Sequence, residues 1–466
     1  MLIQAIYRHA VLPAYESLYQ RRHTLRYLRQ LDRSQWLSAA EIQTQQFASL
    51  KRIVEHAERH CPYFQRSWSA LGLSSADLRN LDDFRRWPLT EKKQIRENRL
   101  EMRATDIQRP LLAKSTGGST GTPLQFDLDM GSHERRWAAM LRGYGWAGGT
   151  PGTKQFHLWG APLEAQPLKR RLKDRIFNLV QRRRMVNSFH LSDETVPDIL
   201  RELNRYRPDV IVAYTGAIFQ FARSLAERNL HPFSPKSIIV GAEKLHGFQR
   251  ELIESVFRCR VFETYGSREF MLIGAECSEH RGLHVTSEQL LVEILNDDGQ
   301  PTPAGQAGNV VITDLFNYGM PFIRYVNGDQ ALAGFDQCTC GRGLPLLREV
   351  RGRRLDAIRT PDGKLVPGEF FPHLFKDFPA VRQFQVVQPA QDRLELRVVL
   401  LPDMKDSDRS RILKIISETV GQHVQLAWQP VQDIPLTRTG KHMVVVSHVP
   451  ATSDPASGTA DKSETT

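Results

Sequence analysis

The feature that most constrains the fold is an alternation of short apolar runs with amphipathic stretches in the middle of the chain. The apolar runs are strand-like in length, and the stretches between them carry apolar residues at helical spacing. A strand–helix–strand order implies parallel pairing, because the helix returns the chain to the same end of the sheet. The sequence therefore predicts a layered α/β domain. The predicted strands and helices are, in order, 208–214, 217–228, 237–241, 247–257 and 260–264.

Other segments extend this domain on both sides. The first hundred residues predict helices, one of which runs from Gln43 to His60 and is ended by Pro62. Thr90 is predicted to cap another helix. Residues 292–312 have a hairpin-like pattern, with its turn at Asp297-Asp298-Gly299.

Beyond Arg353 the pattern becomes that of a small α+β domain. Helices are predicted around 369–375 and over 407–420, with an alternating strand at 394–398 between them. The last residues are rich in Ser, Thr, Asp and Gly, which predicts a disordered tail. We therefore expect a large α/β domain over 1–353, a small mobile domain over 354–449 and a tail over 450–466.

Composition sets broad limits on the function. The 466 residues are enough for two or three domains, and a hydrophobic content of 41% excludes a disordered chain. No run approaches the ~18 apolar residues of a membrane helix, and the polar start differs from a secretory leader, so a cytoplasmic protein is expected. The net charge of +11 favours an anionic partner: nucleic acid, an acidic membrane or a polyphosphate.

The strongest local signal is a loop rich in glycine and hydroxylated residues. Its three glycines let the backbone approach a phosphate chain, while hydroxyls and amides donate hydrogen bonds. No Lys-Ser/Thr follows the last glycine, so it is not a Walker loop, and a flexible linker is the alternative. Strand-like runs at 111–113 and 124–126 favour the phosphate site. The loop comprises Ser115, Thr116, Gly117, Gly118, Ser119, Thr120, Gly121, Thr122 and Pro123.

Three further motifs carry residue types that suit a nucleotide, although each is weak alone. The first follows a predicted strand, which is where open α/β sheets place ligand groups. There an aromatic ring can stack on a purine, and a carboxylate can help to hold magnesium. The second motif offers a carboxylate that can accept from ribose hydroxyls and a guanidinium that can pair with phosphate or ribose oxygens. The third offers a lysine, which in isolation would be interpreted as a surface charge. The motifs are Tyr265-Gly266-Ser267-Arg268-Glu269; Asn327-Gly328-Asp329 with Gly352-Arg353; and Thr439-Gly440-Lys441.

In this order the motifs resemble the phenylacetate–coenzyme A ligase-like (CapK-like) branch of the adenylate-forming superfamily. The resemblance runs from about Arg52 to Val446, and eight landmarks in one order are far more specific than any one motif. It implies a large adenylation domain, a small C-terminal lid domain, and ATP-dependent conversion of a carboxylic acid to an acyl-adenylate. A thiol, such as that of coenzyme A, would then accept the acyl group. The other landmarks are His56-Ala57 with Pro62-Tyr63-Phe64, Trp87 to Lys92, and Gly241-Ala242-Glu243.

The resemblance also implies roles for individual residues. The glycine-rich loop would hold the β- and γ-phosphates, and Glu269 would hold Mg²⁺. Asp329 would bind the ribose with help from Arg353. Lys441 would reach the acyl carboxylate and the α-phosphate, and would withdraw when the small domain rotates for thiol transfer. The residues that would line the adenine are Gly241, Ala242, Glu243 and Tyr265, and Gly266 and Ser267 would also bind the nucleotide.

One position departs from the family pattern. Leu355 stands where relatives commonly have an acidic hinge residue, and Asp356 comes next. The hinge would therefore lie at Asp356 or work differently.

Three cysteines suit a structural zinc site. Cys338 and Cys340 form a short chelating turn, and Cys277 lies upstream with either His280 or His284 as the fourth ligand. Unrelated cysteines in a reducing compartment are the alternative. In the resembling family the histidine has a Gly-Leu-His context, which favours His284. Four protein ligands leave no open position, so Zn²⁺ would be structural.

Several alternatives stay open at this point. The acyl group could pass to an amine or hydroxyl instead of a thiol, as in polysaccharide decoration or amide synthesis. A basic nucleic-acid-binding protein and a non-catalytic relative are less favoured. The basic stretch 169–184 is interpreted as a solvated helix face, with an anionic lipid, a partner or the phosphates of coenzyme A as its alternatives. The aromatic residues that suggest an aromatic acid, or simply a core, are Trp137, Tyr144, Trp146 and Phe219.

Overall fold

The computed structural model describes most of the chain, which divides into two compact units. The first unit ends at Gly352 and the second begins at Arg353. None of the helices in the described ranges combines the length and the apolarity that a bilayer crossing requires. The backbone alone is described at residues 8–9, 168–171, 353, 365 and 372–373. The described residues are 6–116, 124–160, 168–188, 191–192, 194–334, 337–353, 358–362, 365–366, 368, 370–375, 377–378, 380–435 and 443–449.

The amino-terminal part of the first unit is helical, as predicted. Its longest helix, Ala39–His60, begins at a capping box in which Ser38 and Glu41 bond each other's backbone N–H groups. The buried face of this helix packs into the main core of the unit. The helical segments are Tyr7–Val11, Leu12–Ala14, Tyr15–Tyr19, Thr24–Ser34, Ala39–His60, Pro62–Ala70, Ser75–Asp77, Leu81–Phe84 and Lys92–Asn98.

The prediction for Thr90 was wrong. Glu91, not Thr90, is the N-cap of the helix Lys92–Asn98, and its side chain forms a capping box with Gln94. The Thr90 hydroxyl instead donates to the carbonyl of Ile323, 2.8 Å away. A long-range contact thus outweighs the local capping preference of threonine.

The centre of the first unit is a parallel sheet, of which three strands were predicted from the sequence. Five strands pair in parallel in the order β4-β3-β5-β6-β7. Three of the helices, Val196–Tyr206, Thr215–Glu227 and Gly247–Phe257, pack on the strands through one apolar cluster. The strands are β3 (Gln155–Trp159), β4 (Arg183–Asn187), β5 (Val210–Tyr214), β6 (Ser237–Gly241) and β7 (Arg260–Tyr265). The helices of this region are Met130–Trp146, Leu168–Val180, Val196–Tyr206, Thr215–Glu227 and Gly247–Phe257.

Six further strands continue this sheet beyond β7, in the order β8-β9-β13-β12-β11-β10. β7, β8, β9 and β13 pair antiparallel in turn, as do β10, β11 and β12. The predicted hairpin is β10–β11, with Gly299 at positive φ in its turn. The bounds are β8 (Gly274–Glu276), β9 (Leu283–Val285), β10 (Leu290–Leu295), β11 (Ala307–Asp314), β12 (Tyr325–Ala333) and β13 (Leu346–Arg353). A separate hairpin, β1 (Leu112–Ser115) with β2 (Gln125–Leu128), confirms the paired runs predicted around the glycine-rich loop.

The second unit is a small α+β structure with its own apolar core. Its sheet has the order β18-β17-β16-β19, in which β16 and β17 are antiparallel and both outer pairs are parallel. The fold class is therefore confirmed: a large α/β unit and a separate small α+β unit. The elements are β14 (Ile358–Arg359), β15 (Leu365–Val366), Phe370–Phe375, β16 (Val381–Ala390), β17 (Arg393–Leu400), Asp406–Val420, β18 (Gln425–Pro430) and β19 (Val445–Ser447).

The basic stretch 169–184 is only partly the solvated helix face that was predicted. Its helix ends at Val180, and Arg183 begins β4, the last strand of the sheet. The Arg183 guanidinium lies over the rings of Trp137 (5.9 Å) and Phe177 (5.7 Å). Burial lowers the pKa of this arginine. Arg183 is thus a packing residue.

Candidate functional site

Tyr265, Asn327 and Asp329 form a hydrogen-bonded cluster. The Tyr265 hydroxyl donates to Oδ2 of Asp329 (2.7 Å) and accepts from Nδ2 of Asn327 (2.7 Å). The same Asn327 amide donates to Oδ2 of Asp329 (2.9 Å), and its Oδ1 accepts from the Asp329 backbone N–H (2.9 Å). Burial and the neighbouring Asp329 carboxylate raise the pKa of Tyr265 well above its usual value. The phenol is therefore a permanent donor that fixes the orientation of the carboxylate.

These residues come from distant parts of the sheet. Tyr265 ends β7, whereas Asn327 and Asp329 lie on β12, and three strands separate the two in the hydrogen-bonded order. Only a strongly curled sheet brings such strands within reach of one tyrosine side chain.

Glu269 lies next to this cluster and is 5% exposed. Its Oε1 accepts a hydrogen bond from the hydroxyl of Tyr325 (3.0 Å), which is itself buried on β12. The Tyr325 ring packs against Phe322 (5.2 Å between centroids) and Phe270 (6.0 Å). Aromatic packing therefore holds the donor that orients the Glu269 carboxylate, as a metal-binding carboxylate requires.

The loop after β7 approaches its neighbours too closely for any side chain at Gly266. A Cβ there would lie 1.9 Å from the Met271 carbonyl oxygen, and Met271 itself has a left-handed φ of 65°. The loop after β6 is similarly tight, because a Cβ at Gly241 would lie 2.6 Å from the Thr264 hydroxyl. Ala242 follows with φ of 71°. Strained backbone of this kind clusters at ligand sites.

Replacing Gly266 by Ala is expected to lower the free energy of unfolding by about 1–3 kcal/mol, because the Met271 carbonyl has to move. Chemical denaturation of the full chain measures this change. Gly247→Ala is the control, since nothing lies within 4 Å of a Cβ at that position. A Gly266→Ala variant as stable as the Gly247→Ala control would show that the loop is not tightly packed.

The predicted adenine-lining residue Glu243 has a structural partner. Its carboxylate accepts from the backbone N–H of Gly216 (2.6 Å), and its carbonyl accepts from the Thr215 hydroxyl (3.0 Å). Glu243 therefore binds the first turn of the helix Thr215–Glu227, where a negative charge is favourable. The loop that follows β6 is held in place by this contact.

Of the glycine-rich loop, only Ser115 and Thr116 lie in the described residues. Thr116 closes the β1–β2 hairpin, since its backbone N–H donates to the Leu124 carbonyl and its hydroxyl accepts from the Leu124 N–H, both at 2.9 Å. Gly117, Gly118, Ser119, Thr120 and Gly121 lie outside the described residues.

Positive charge is concentrated beside this hairpin. Burial lowers the pKa of Lys114, and the nearby Arg268, Arg136 and Arg22 lower it further. Burial, together with the charges of Lys114, Arg22 and Arg136, lowers the pKa of His133 to about 4. Neighbouring cations repel one another, so the space between them is favourable for an anion.

Two polar atoms in this cationic region lack a partner among the described residues. They are Nη1 of Arg136 and Nδ1 of His133, both buried. The rest of the Arg136 guanidinium is fixed, because Nη2 pairs with Asp314 (2.5 Å) and Nε donates to Ser132 (3.1 Å). Buried polar atoms are normally satisfied, so these two suit hydrogen bonds to a ligand.

The four predicted zinc ligands lie together, with all of their ligand atoms within 4.8 Å of one another. The sulfur atoms of Cys277 and Cys338 are 3.7 Å apart, and Nε2 of His284 is 3.3 Å from the sulfur of Cys340. Tetrahedral zinc with ligands at about 2.3 Å (S) and 2.0–2.1 Å (N) has S–S and S–N edges of about 3.8 and 3.6 Å. The donor set and these distances fit zinc. The S–S distance of 3.7 Å is too long for a disulfide bond.

The contacts around the cluster orient its histidine. Nδ1 of His284 faces the Leu344 carbonyl (3.4 Å), which directs Nε2 towards the cysteines. His280, the alternative ligand, is held elsewhere by Glu276 and Arg250, each 3.2 Å from its Nδ1. Trp146, considered as a pocket wall, packs its ring against His284 instead, with 5.4 Å between centroids.

Gln35 connects the amino-terminal helices to the loop that carries Cys338 and Cys340. Its Oε1 accepts from Nε1 of Trp146 and from Nε of Arg342, both at 2.8 Å. Its carbonyl accepts from the Gly343 N–H (3.1 Å). A Cβ at Gly343 would lie 2.0 Å from the Leu37 carbonyl, so this approach requires glycine.

Comparison with known proteins is consistent with these features. Residues 358–448 match the family model of the CapK C-terminal domain. A phenylacetate-coenzyme A ligase from Thermus thermophilus is 23% identical over 430 residues, covering 84% of this chain and 93% of that protein. Protein CapK from Staphylococcus aureus is 22% identical over 423 residues, covering 88% of this chain and 89% of that protein. The chain therefore resembles the CapK-like branch of the adenylate-forming superfamily.

A solved structure shows the same fold as this CapK-like chain. The 2-hydroxyisobutyryl-CoA ligase, in its postadenylation state, superposes with a TM-score of 0.69 at 18% identity. The match covers 89% of this chain and 91% of that ligase. The likeness therefore spans both units of the CapK-like chain.

Sequence reasoning missed part of this site. Tyr325, Arg136, His133 and Lys114 were not proposed, since no motif contains them and only the fold brings them to the loop ends. The one signal of these four residues in the sequence is that their side chains can form hydrogen bonds, a property too common to identify a site. Lys441 lies outside the described residues, and the side chain of Arg353 does too.

Proposed function

We propose that this CapK-like chain activates a carboxylic acid with ATP and then transfers the acyl group to a thiol, that of coenzyme A. The observation that carries the proposal is the fixed Asp329 carboxylate, held by Tyr265 and Asn327 close to the buried Glu269. A carboxylate fixed beside a buried tyrosine suits the ribose hydroxyls and base of a nucleotide. The relatives named as ligases support the acid–thiol reaction class.

In the first step, a carboxylate oxygen of the acid attacks the α-phosphorus of ATP. An O–P bond forms, the bond to the β-phosphate breaks, and pyrophosphate leaves with its electron pair. The charge of the triphosphate opposes this attack, so catalysis consists of positioning and of cations placed where charge accumulates.

The residues of the candidate site divide these tasks. Asp329 accepts from the ribose hydroxyls with help from Arg353. The adenine is lined by Gly241, Ala242, Glu243 and Tyr265, and Gly266 and Ser267 also bind the nucleotide. The glycine-rich loop binds the β- and γ-phosphates, and Lys114 and Arg136 add positive charge beside it. Glu269, whose Oε1 is oriented by Tyr325, would hold Mg²⁺, which neutralises phosphate charge when bound.

In the second step, the sulfur of coenzyme A attacks the acyl carbon and AMP leaves. Lys441 acts in the first step, through contact with the acyl carboxylate and the α-phosphate, and withdraws before the second. Rotation of a small domain over 354–449 would provide this withdrawal, as lid motions do in many enzymes. The resemblance of the Gly440-Lys441 motif supports this role.

The cysteine cluster has a structural role in this proposal. Cys277, Cys338, Cys340 and His284 would hold one zinc ion with no position left open for a substrate. Zinc would link β8 and β9 to the loop that precedes β13. The fit of the S–S and S–N distances supports the assignment.

A second candidate keeps the adenylation step and changes the acceptor to an amine or hydroxyl. The similarity to protein CapK over 88% of the chain favours it specifically. The two candidates differ only after the acyl-adenylate has formed, so product analysis separates them.

The test is exchange of labelled pyrophosphate into ATP over a panel of aliphatic and aromatic acids, followed by product analysis with and without coenzyme A. We expect exchange that depends on the acid, and a thioester when coenzyme A is present. Exchange without a thioester would favour the amine or hydroxyl acceptor. No exchange with any acid, from protein that binds ATP, would contradict adenylation.

A further inference from the structure

The helix Leu168–Val180 presents apolar side chains to solvent. Leu172, Ile176 and Leu179 are 59%, 45% and 77% exposed. Their spacing of four and three residues places them on one face of the helix, where they form a continuous stripe. A stripe of this kind is unusual on a protein surface unless another surface covers it. We call Leu172, Ile176 and Leu179 the apolar stripe.

Basic residues border the apolar stripe on both sides. Lys173 and Arg175 are exposed, and on a helix of 3.6 residues per turn they lie on opposite flanks of Leu172. No carboxylate among the described residues forms an ion pair with either of them. The segment 168–184 contains eight Lys and Arg residues and one acidic residue, Asp174. The surface is therefore both apolar and cationic.

The opposite side of the helix is packed, so the apolar stripe is held facing outward. Phe177 contacts Trp137, with 6.1 Å between ring centroids, and the Arg183 guanidinium lies over both rings. Arg182 donates to the Gly152 carbonyl (2.7 Å), and Arg184 pairs with Glu202. These three arginines fix the helix and β4 in place, and Lys173 and Arg175 of the helix are left for a ligand.

Further exposed apolar residues lie on the segment that precedes Gln20. Tyr7 belongs to this segment and packs on Gly152, where a Cβ would lie 2.7 Å from its ring. Because Gly152 also receives the Arg182 hydrogen bond, the segment lies beside the same edge of the sheet. The exposed apolar residues are Ile6, Val11, Leu18 and Tyr19, with Met185 on β4 itself.

We propose that this face binds the surface of an anionic lipid bilayer. An apolar stripe flanked by lysine and arginine matches a helix that lies in the bilayer interface, with leucines among the acyl chains and cations at the phosphates. The helix of 13 residues is about 20 Å long, enough for several headgroup contacts. This inference is independent of the proposed catalytic function, because none of these residues belongs to the candidate site.

Co-sedimentation of the full chain with vesicles tests the proposal. We expect binding to vesicles of phosphatidylglycerol with phosphatidylcholine, little binding to phosphatidylcholine alone, and loss of binding as the salt concentration rises. The double variant Leu172→Ser, Leu179→Ser should bind at least about tenfold more weakly, since each leucine contributes by entering the apolar layer.

A matched control is available elsewhere on the first unit. Leu71 and Leu100 are also leucines, with 58% and 71% exposure, and neither lies near this helix in sequence. The double variant Leu71→Ser, Leu100→Ser should bind vesicles as the unchanged protein does. The proposal is overturned if the anionic vesicles bind no protein, if both double variants bind equally, or if the stripe variant changes only self-association in the absence of lipid.

Discussion

Replacing Lys441 by Ala is expected to slow acid-dependent exchange of labelled pyrophosphate into ATP by about 10²–10³-fold, the usual cost of removing one donor that stabilises transition-state charge. The carboxylate and the triphosphate are both anionic, so their approach requires a cation at the α-phosphate. The glycine-rich loop and Glu269 act on the phosphates that leave, and they do not replace that cation. Steady-state exchange at saturating ATP measures the effect.

Two controls separate this role from a defect in folding. Lys414, on the helix Asp406–Val420, is 75% exposed and lies 3.9 Å from Glu418, so Lys414→Ala should exchange at the unchanged rate. The Lys441→Ala variant should still convert a synthetic acyl-adenylate and coenzyme A into the thioester. Exchange by Lys441→Ala at the rate of the unchanged enzyme would mean that the proposed adenylation mechanism is wrong.

The second large effect is expected at the cysteine cluster. Cys338→Ser should reduce bound zinc from about one ion per chain to a small fraction of that, because serine replaces a thiolate by a much poorer ligand. Loss of a structural metal is among the few single changes that cost more than about 4 kcal/mol. Elemental analysis of the purified chain and its thermal unfolding midpoint measure the two consequences.

Cys259→Ser is the matched control, because Cys259 packs beside an apolar cluster and is not a member of the group of four ligands. It should retain zinc and most of its stability. A chelator should lower the unfolding midpoint of the unchanged protein and leave that of Cys338→Ser unaltered. Equal zinc content in the two variants would contradict the assignment of the cluster.

Local pattern was sufficient for three of the five parallel strands, β5, β6 and β7, and for the two helices between them, whereas β3 and β4 were not predicted. The strand Ser237–Gly241 and the helix Gly247–Phe257 were predicted with the bounds that the structure has. The strand is buried throughout and the helix on one face, so the spacing of their apolar residues reflects tertiary packing directly. The grouping of Cys277 with Cys338 and Cys340 was also predicted, because few residue types bind zinc and their spacing is distinctive.

Long-range contacts could not be predicted in the same way. Thr90 has the sequence of a helix cap, yet its hydroxyl bonds a carbonyl 233 residues away. Tyr325 has the sequence context of an ordinary strand residue, and only the curled sheet brings its hydroxyl to Glu269. Arg183 belongs to a charge run that was interpreted as solvated, and it is half-buried beside Trp137. In each case the partner is remote in sequence, and no local preference identifies it.

The hydrogen bonds of Gln35 have a consequence for biosynthesis. Gln35 leaves the ribosome 307 residues before Arg342, its partner in the cysteine-bearing loop. At about 5–20 residues per second, this interval is roughly 15–60 s. During that time the first helices are made but cannot complete their packing, because the polypeptide that covers them does not yet exist. Nascent chains of this protein should therefore depend on chaperones for longer than chains whose first helices pack on their immediate neighbours.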